Sequence, residues 1–219
     1  FKLGLPTGSS PLNTYKALFK LYETGRVSFE NVITFNMDEY LGLPADHPQS
    51  YHTFMWDNFF RHIDIKKENV HILNGMAEDP QAECAAYEQA IKEAGGIDLF
   101  LGGIGPDGHI AFNDPPADFD NRDAYIRVKL NKECKLQQVS EGWFGSPEEV
   151  PDMAVSMSVW QIMQSRTIIS VVPHQAKAEA VRLTFSESVN RKVPATILKQ
   201  HPDWHLFLDR ESAGGIIRF

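Results

Sequence analysis

The stretch LGGIGPDGHIAFNDPP, residues 101 to 116, places three acid-base groups in a segment whose glycines and prolines predict a turn. These groups are Asp107, His109 and Asp114. Their residue types suit three kinds of chemistry: nucleotide binding by a glycine-rich loop, metal binding, and proton transfer. The residues between and around them favour one of the three.

A dinucleotide-binding loop is the first alternative, since Gly103, Gly105 and Gly108 satisfy its GxGxxG spacing. Such a loop leads into a helix whose amides face a pyrophosphate. Here Pro106 and Asp107 interrupt the turn, and the proline pair that follows disfavours a helix. The carboxylate would also repel a pyrophosphate, so the sequence argues against nucleotide binding.

A metal site and a proton relay are the other two alternatives. Asp107, His109 and Asp114 could each ligate a metal, but this stretch lacks the HxxxH or cysteine-rich spacing that identifies such sites. A histidine that titrates near neutrality, beside a carboxylate that orients it, favours proton transfer. We therefore predict a relay, with a metal site as an alternative. A turn in which the Asp and His side chains only cap backbone groups is the structural alternative.

A second polar segment, PTGSSP at residues 6 to 11, follows an apolar stretch and precedes a predicted helix. Small residues at a helix N-terminus expose backbone amides that bind phosphate well, and this makes Thr7, Gly8, Ser9 and Ser10 candidate ligands. We expect Ser10 to cap the helix and Pro11 to occupy its first turn. A well-capped helix without a ligand is the alternative.

Two further segments carry charged residues. NMDEY sets Asp38 and Glu39 at the end of another apolar stretch, where an exposed acidic pair is the alternative to a functional one. Lys177 lies at the start of a predicted helix, where it opposes the helix dipole by about 0.3 to 1 kcal/mol. An anionic ligand explains that position better than helix stability does, although a solvated lysine is the alternative. His174, nearby, receives no role.

The elements that position these segments follow from hydrophobic patterning. Apolar stretches predict strands at 1–6, 31–37, 69–73, 97–103 and 167–173, and helical periodicity appears at 11–24, 50–63 and 79–94. Strands that alternate with helices predict an α/β fold with a mostly parallel sheet covered by helices on both faces, and such sheets bind ligands at the carboxyl ends of their strands. Residues 114–152 look least regular, and we expect loops or a lid there.

Composition narrows the class of protein. The 219 residues suit one domain, 1–219, and because Phe1 lies inside a predicted strand, we expect an N-terminal segment to be missing. A formal net charge of -8 disfavours nucleic-acid binding. No apolar run reaches the roughly 20 residues that a membrane span needs. Cys84 and Cys134 show no metal or disulfide spacing, which favours the reducing cytoplasm.

Several of these motifs together resemble one family. LGLPTGSSP, TFNMDEYLGLP with HPQSYHTFMWDNFF, and GGIGPDGHIAFN resemble the glucosamine-6-phosphate deaminase family in order and spacing from Phe1 to about Asn113. The likeness resumes more loosely from VPHQAKAEAV to LFLDRESAG. The related 6-phosphogluconolactonases share the DGH turn, but the MDEY segment favours the deaminases.

The resemblance implies a Rossmann-like fold, a homo-oligomer, and conversion of D-glucosamine 6-phosphate and water to D-fructose 6-phosphate and ammonia, without cofactor or metal. It also implies residue roles. Asp38 matches the base that moves the C2 proton, and Asp107 and His109 match members of the ring-opening set. The phosphate ligands that it implies are Thr7, Gly8, Ser9, Ser10 and Lys177.

Departures from the family pattern indicate a divergent branch. The usual FNEP is FNDPP here, so the third ring-opening carboxylate is Asp114, one methylene shorter than Glu. A displacement of about 1 Å can cost roughly 100-fold in a positioned reaction. The family's usual Ser-rich stretch with Arg-Thr-Arg is replaced by PADFDNRDAY, so we expect no regulation by an N-acetylated sugar phosphate. The Arg-bearing segment that helps the family hold the substrate phosphate reads QQVSEGWF here, and another hexosamine phosphate is an alternative substrate. A lactonase-like hydrolase and a non-catalytic sugar-phosphate sensor are the alternative functions.

Overall fold

The computed structural model describes residues 1–216, in which strands and helices alternate along most of the chain. The strands are β1 (Lys2–Leu5), β2 (Ile33–Asn36), β3 (Asp38–Tyr40), β4 (Val70–His71), β5 (Leu99–Gly102), β6 (Tyr125–Lys129), β7 (Met153–Met157), β8 (Thr167–Val172) and β9 (Trp204–Leu208). The α-helices are α1 (Leu12–Glu23), α2 (Tyr51–Asn58), α3 (Pro80–Glu93), α4 (Lys132–Ser140), α5 (Val159–Met163) and α6 (Ala178–Ser186). The predicted strands and helices are therefore confirmed, with shifted ends and with β4 reduced to two residues.

Six strands form the main sheet, in the order β4-β2-β1-β5-β8-β9. Every pairing in this sheet is parallel. The chain leaves β1 towards β2 and β4 on one side, and later returns to place β5, β8 and β9 on the other. The order therefore reverses between β1 and β5, and a crevice opens at such a switch point beyond the carboxyl ends of the strands.

Helices pack on both faces of this sheet, as predicted. On one face, β5 contributes Phe100 to a core with Tyr87 of α3 and Val181 of α6. On the other face, Leu101 packs in a second core with Tyr15 of α1. Successive residues of a strand point to opposite faces, so the apolar run of β5 supplies both cores at once.

Helix cover of the second face is partial. Side chains of β1, β5, β8 and β9 line an apolar groove beside α1, and this groove includes Ile169, Val171 and Phe207. Phe207 is 57% exposed. Within residues 1–216, α1 and α2 thus cover mainly the β1 and β2 half of this face.

The expectation of loops at 114–152 was wrong for residues 125–129 and 132–140, which form a strand and a helix. This segment contains β6 and α4, and β6 joins β7 and β3 in a second, antiparallel sheet of order β3-β7-β6. Asn131 caps α4, because its side chain accepts a hydrogen bond from the backbone N–H of Cys134. The second sheet attaches Asp38, the first residue of β3, to Ser156 of β7.

Two observations bear on the expected surroundings of the protein. Among the described residues, none of the helices combines the length and apolar character needed to cross a membrane. Cys84 and Cys134 are buried free thiols, as expected from their spacing, and burial raises the pKa of Cys84 to about 11. Both thiols are therefore poor nucleophiles at neutral pH.

Candidate active site

A cleft lies at the switch point, beyond the carboxyl ends of β1, β2, β5 and β8. It is open to solvent and has an empty volume of about 640 Å³. Seven of the nine predicted site residues line it: Thr7, Gly8, Ser9, Ser10, Asp38, His109 and Lys177. The two exceptions are Asp107 and Asp114, which contact the side of the His109 ring that carries Nδ1.

The loop between β1 and α1 forms one wall of the cleft. Gly8 has a φ of 85°, a left-handed conformation that glycine adopts without strain. The Tyr15 hydroxyl of α1 donates to the Pro6 carbonyl at 2.5 Å and fixes the start of the loop. The expectation that Ser10 caps α1 was wrong, since the N-cap is Pro11 and no side chain among residues 1–216 caps this helix. A bound anion can therefore accept from the amides of its first turn.

Asp38 lies beside this loop, just after β2, and its carboxylate interacts with the Thr7 hydroxyl. The hydroxyls of Tyr125 and Tyr87 donate to the Asn36 carbonyl at 2.7 and 3.3 Å, which secures the backbone just before Asp38. The Asp38 side chain is buried, and its Oδ1 has no hydrogen-bond partner among residues 1–216. Burial, and then the charge of Glu39, raise the pKa of Asp38 well above its ordinary value, while the Thr7 hydroxyl opposes that shift.

Glu39 faces away from the cleft and has a different role. Its Oε1 accepts from the backbone N–H groups of Tyr40 and Tyr51, and its Oε2 accepts from the N–H of His52, each at 2.9 Å. Burial raises the pKa of Glu39 to about 7, although these three donors favour the carboxylate. Glu39 thus joins β3 to the first turn of α2 and positions its neighbour Asp38. The exposed acidic pair considered from the sequence is ruled out.

The loop after β5 carries the His109 ring directly over Gly105. A Cβ at position 105 would overlap the imidazole, so glycine is required for this close approach. His109 Nδ1 lies 2.7 Å from Asp107 Oδ1, and the same oxygen accepts from the His109 backbone N–H at 3.1 Å. Asp107 therefore fixes both the ring and the turn that carries it.

The two carboxylates beside His109 differ in their environment. Burial alone would raise the pKa of Asp107, but the hydrogen bond and charge of His109 hold it below its usual range. Since an ionised carboxylate only accepts, Nδ1 of His109 carries a proton, and Nε2 is the nitrogen free to exchange one with a ligand. Asp114 Oδ1 lies farther from Nδ1, at 3.8 Å, and burial raises the pKa of this group.

Lys177 completes the predicted set. It ends a 3₁₀ turn, Gln175–Lys177, which follows β8 and leads into α6. The side chain is only 7% exposed, so the alternative of a solvated lysine is ruled out. Burial lowers the pKa of Lys177, while the charges of Glu141 and Asp107 raise it. An uncompensated buried ammonium is costly, and an anionic ligand would stabilise it.

Sequence reasoning did not name the residues that α4 brings to the cleft as site residues, although it quoted their segment, QQVSEGWF, as a departure from the family pattern. Gln137, Gln138 and Glu141 line it, and all three lie in the segment predicted to be irregular. The sequence signal for α4 was the N-cap residue Asn131 before a short helical stretch. The many charged and polar residues of that stretch obscured its helical period. Tyr51 and Phe112, from the start of α2 and the loop after His109, also line the cleft.

The proton-relay geometry also offers ligand atoms for a metal. Oxygen and nitrogen atoms of Asp107, His109 and Asp114 lie within 4.8 Å of one another. A hydrogen-bonded Asp-His pair with a second carboxylate behind it gives this proximity by itself. The absence of a catalytic metal stays a prediction of the sequence.

Fold and cleft together define a class, a doubly wound α/β protein with a small polar loop before a helix and with acid-base groups at the switch point of its sheet. The chain belongs to the family of glucosamine-6-phosphate isomerases/6-phosphogluconolactonase, whose model matches residues 1–206. A glucosamine-6-phosphate deaminase of Parabacteroides distasonis is 48% identical over 216 residues, 99% of this chain and 79% of the relative. Glucosamine-6-phosphate deaminase 1 of Homo sapiens is 50% identical over 202 residues, 92% of this chain and 69% of the relative.

Solved structures give the same assignment. A monomeric glucosamine-6-phosphate deaminase superposes with a TM-score of 0.93 at 40% identity, over 98% of this chain and 87% of that one. A 6-phosphogluconolactonase from Thermotoga maritima superposes with a TM-score of 0.75 at 20% identity, over 95% of this chain and 84% of that one. The second likeness shows the fold alone.

The close approach of His109 to Gly105 gives a first prediction. We expect Gly105→Ala to push the imidazole away from Asp107 and to lower the free energy of unfolding by about 1 to 3 kcal/mol, because the added methyl overpacks the site. Proton NMR should then show loss of the downfield signal of the hydrogen-bonded Nδ1–H. Gly103→Ala is the matched control, since its Cβ would meet only the Val171 carbonyl at 3.7 Å. An unchanged NMR signal in Gly105→Ala would contradict the assigned geometry.

Proposed function

We propose that this protein is a glucosamine-6-phosphate deaminase, which converts D-glucosamine 6-phosphate and water to D-fructose 6-phosphate and ammonia. The observation that carries the proposal is the placement in one cleft of His109, the loop after β1 and a buried Asp38 carboxylate, whose Oδ1 has no hydrogen-bond partner within residues 1–216. Deaminases of this name are 48 to 50% identical to the chain over most of its length.

The phosphate of the substrate binds in the wall formed by the loop after β1. Amides of the first turn of α1 and the small polar side chains of residues 7–10 donate to its oxygens. Lys177 supplies a positive charge from the loop after β8, and it is buried enough for that charge to act with little screening by solvent. The sugar then extends across the cleft towards Asp38 and His109.

Ring opening is the first chemical step. The anomeric hydroxyl loses its proton while the ring oxygen gains one, and His109 transfers this proton through Nε2. Asp107 keeps Nδ1 protonated and stabilises the imidazolium that forms when Nε2 accepts a proton. Asp114, 3.8 Å from Nδ1, adds a second negative charge behind the ring.

Isomerisation and loss of nitrogen follow from the open aldehyde. Asp38 takes the proton from C2 and returns it to C1, and a second proton passes from the amino nitrogen to O1, so that the amino aldehyde becomes a C2 imine with a C1 hydroxyl. Water adds to the imine carbon, and ammonia leaves to give the ketose. The raised pKa of Asp38 makes it a stronger base than an ordinary aspartate, as C–H proton abstraction requires.

The alternative functions use the same cleft differently. A lactonase-like hydrolase needs the phosphate loop and a base that activates water, but it needs no group that moves a proton at C2. A sensor needs binding only. The buried carboxylate of Asp38, with Oδ1 left unpaired, is costly for the fold and favours the function that uses it.

The compartment, the class of ligand, the oligomeric state and the preferred substrate are also part of this proposal. The free thiols of Cys84 and Cys134 support the cytoplasm as the compartment. The acidic charge balance supports a small-molecule substrate over nucleic acid. A homo-oligomer stays a prediction of the family resemblance, and the solved deaminase described above is a monomer. The preference for glucosamine over another hexosamine phosphate is part of the proposal.

The first functional prediction concerns Asp38→Asn. We expect ammonia release from glucosamine 6-phosphate to fall by at least about 100-fold, because the C2 proton loses its acceptor. Enzyme-coupled assays of ammonia and fructose 6-phosphate, run also with galactosamine 6-phosphate, measure the effect. Asp46→Asn, an exposed aspartate on the loop after β3, is the matched control.

Three outcomes of these assays would contradict the proposal. Lactone hydrolysis by the wild-type protein without ammonia from either hexosamine phosphate would support a hydrolase. Binding of the hexosamine phosphate without any turnover would support a sensor. Full deaminase activity of a folded Asp38→Asn protein would show that Asp38 is not the base that acts at C2.

The pH dependence gives a separate prediction. A base must be ionised to act, and the pKa of Asp38 is raised, so activity is lost on acidification at a higher pH than for an ordinary aspartate. We expect the acid limb of kcat/KM to lie well above pH 3.8, the ordinary value. Steady-state rates across the pH range measure this limb. A midpoint at or below 3.8 would show that the base is not a buried carboxylate.

Asp114 gives the last prediction for this function. Asp114→Asn removes a negative charge 3.8 Å from Nδ1 of His109 and so destabilises the imidazolium formed during ring opening. We expect kcat/KM to fall by about 10- to 100-fold, as loss of one charge at this distance implies under partial screening. Asp118→Asn, on the exposed loop that follows, is the control. Equal activity of the two variants would exclude Asp114 from the relay.

A further inference from the structure

The carboxylate of Glu141 contacts the phosphate loop, residues 7–10, which we assign to the substrate phosphate. Oε2 of Glu141 accepts from the Ser9 hydroxyl at 3.0 Å and from the Trp143 indole N–H at 3.2 Å. Its Oε1 accepts from the side-chain amide of Gln137 at 2.7 Å. Glu141 is thus held by three donors, one of which belongs to the loop that we assign to the substrate phosphate.

The charge of Glu141 opposes the ligand proposed for this wall. Burial alone would raise the pKa of Glu141, but its donors and the charge of Lys177 hold the pKa below the usual range, so the group is ionised at neutral pH. Lys177 is the one Lys or Arg side chain that lines the cleft within residues 1–216. In this arrangement, Glu141 partly neutralises the charge of Lys177 and accepts the hydrogen bond of the Ser9 hydroxyl, a donor that the phosphate needs.

We propose that Glu141 is an internal anionic ligand of the phosphate subsite, displaced when the phosphate of the substrate binds and restored when the product leaves. This inference rests on the proposed function for the identity of the phosphate-bearing ligand. Substrate and product carry the same phosphate, so its binding energy stabilises both alike and does not speed the chemical step. Glu141 offsets part of that uniform binding and thereby favours product release.

The geometry makes the contact reversible. Glu141 follows α4 directly and precedes Gly142, whose φ is 81°. Its three partners are all side-chain donors, so the carboxylate can exchange them for water without breaking a strand or helix. Displacement also frees the hydroxyl of Ser9, which lines the cleft and can then donate to the phosphate.

Glu141→Gln tests the proposal with inorganic phosphate as the probe. The glutamine keeps the size and the acceptor oxygen but removes the charge. Even with water-like screening, a carboxylate about 5 Å from a phosphate dianion weakens its binding by roughly tenfold or more. We expect the Kd of phosphate, measured by calorimetry in a phosphate-free buffer, to fall at least about tenfold. The KM for glucosamine 6-phosphate should fall by a similar factor, since both ligands displace the same group.

Glu149→Gln is the matched control for the charge. Glu149 belongs to the same segment but accepts from the Gly145 N–H and does not line the cleft. We expect its phosphate affinity and activity to equal those of the wild type. Unchanged or weaker phosphate binding by a folded Glu141→Gln protein would overturn the proposal, as would equal tightening in Glu149→Gln.

A second measurement needs no change at Glu141. Displacement breaks the hydrogen bond from Trp143, so phosphate should alter the tryptophan fluorescence of the wild type, and Trp143→Phe should abolish that change. Phosphate binding without a Trp143 signal would overturn the proposal. Both probes report phosphate binding without turnover, so a protein that fails to release ammonia but shows these effects refutes the proposed function and leaves this inference standing.

Discussion

The parallel pairing of β1 with both β2 and β5 is the constraint on which the rest of the structure depends. Connections that leave this central strand in opposite directions must diverge at its carboxyl end, and the crevice between them is the cleft. The loop of residues 6–11, Asp38, the turn that carries His109, and Lys177 each follow a different strand of the same sheet. Residues that are distant in the sequence meet at this cleft because the carboxyl ends of parallel strands lie at the same edge of the sheet.

Within the cleft, neighbouring residues of like chemistry take opposite roles because the backbone turns their side chains apart. In β3, Asp38 lines the cleft with an oxygen that has no hydrogen-bond partner within residues 1–216, whereas Glu39 accepts from three backbone N–H groups and anchors α2. In the loop after β5, Asp107 contacts Nδ1 of His109 while Asp114 lies farther away. Burial makes each charge strong, and its partners decide whether the charge is available for chemistry.

Much of the main sheet could be predicted, because long apolar strands and periodic helices carry local signals. The antiparallel sheet could not, since β3 has three residues and pairs with β7, far along the chain. Such pairing depends on packing that no local pattern records. The α4 helix was missed for a related reason, because its polar sequence has few apolar residues to show a period. Because the helix was not predicted, Glu141, which follows it and contacts Ser9, was not identified as a site residue.

The sequence by itself determined the α/β class, the family, and the segments that carry the chemistry, since glycine turns, helix starts and strand ends are local features. The tertiary structure alone decided which acid-base groups reach the cleft. It placed His109 and Asp38 in the lining of one cleft, set Asp107 and Asp114 beside Nδ1 of His109, and brought Glu141 into contact with Ser9. The physical reason is that burial and charge pairing join residues distant in the chain, and only the packed fold specifies those contacts.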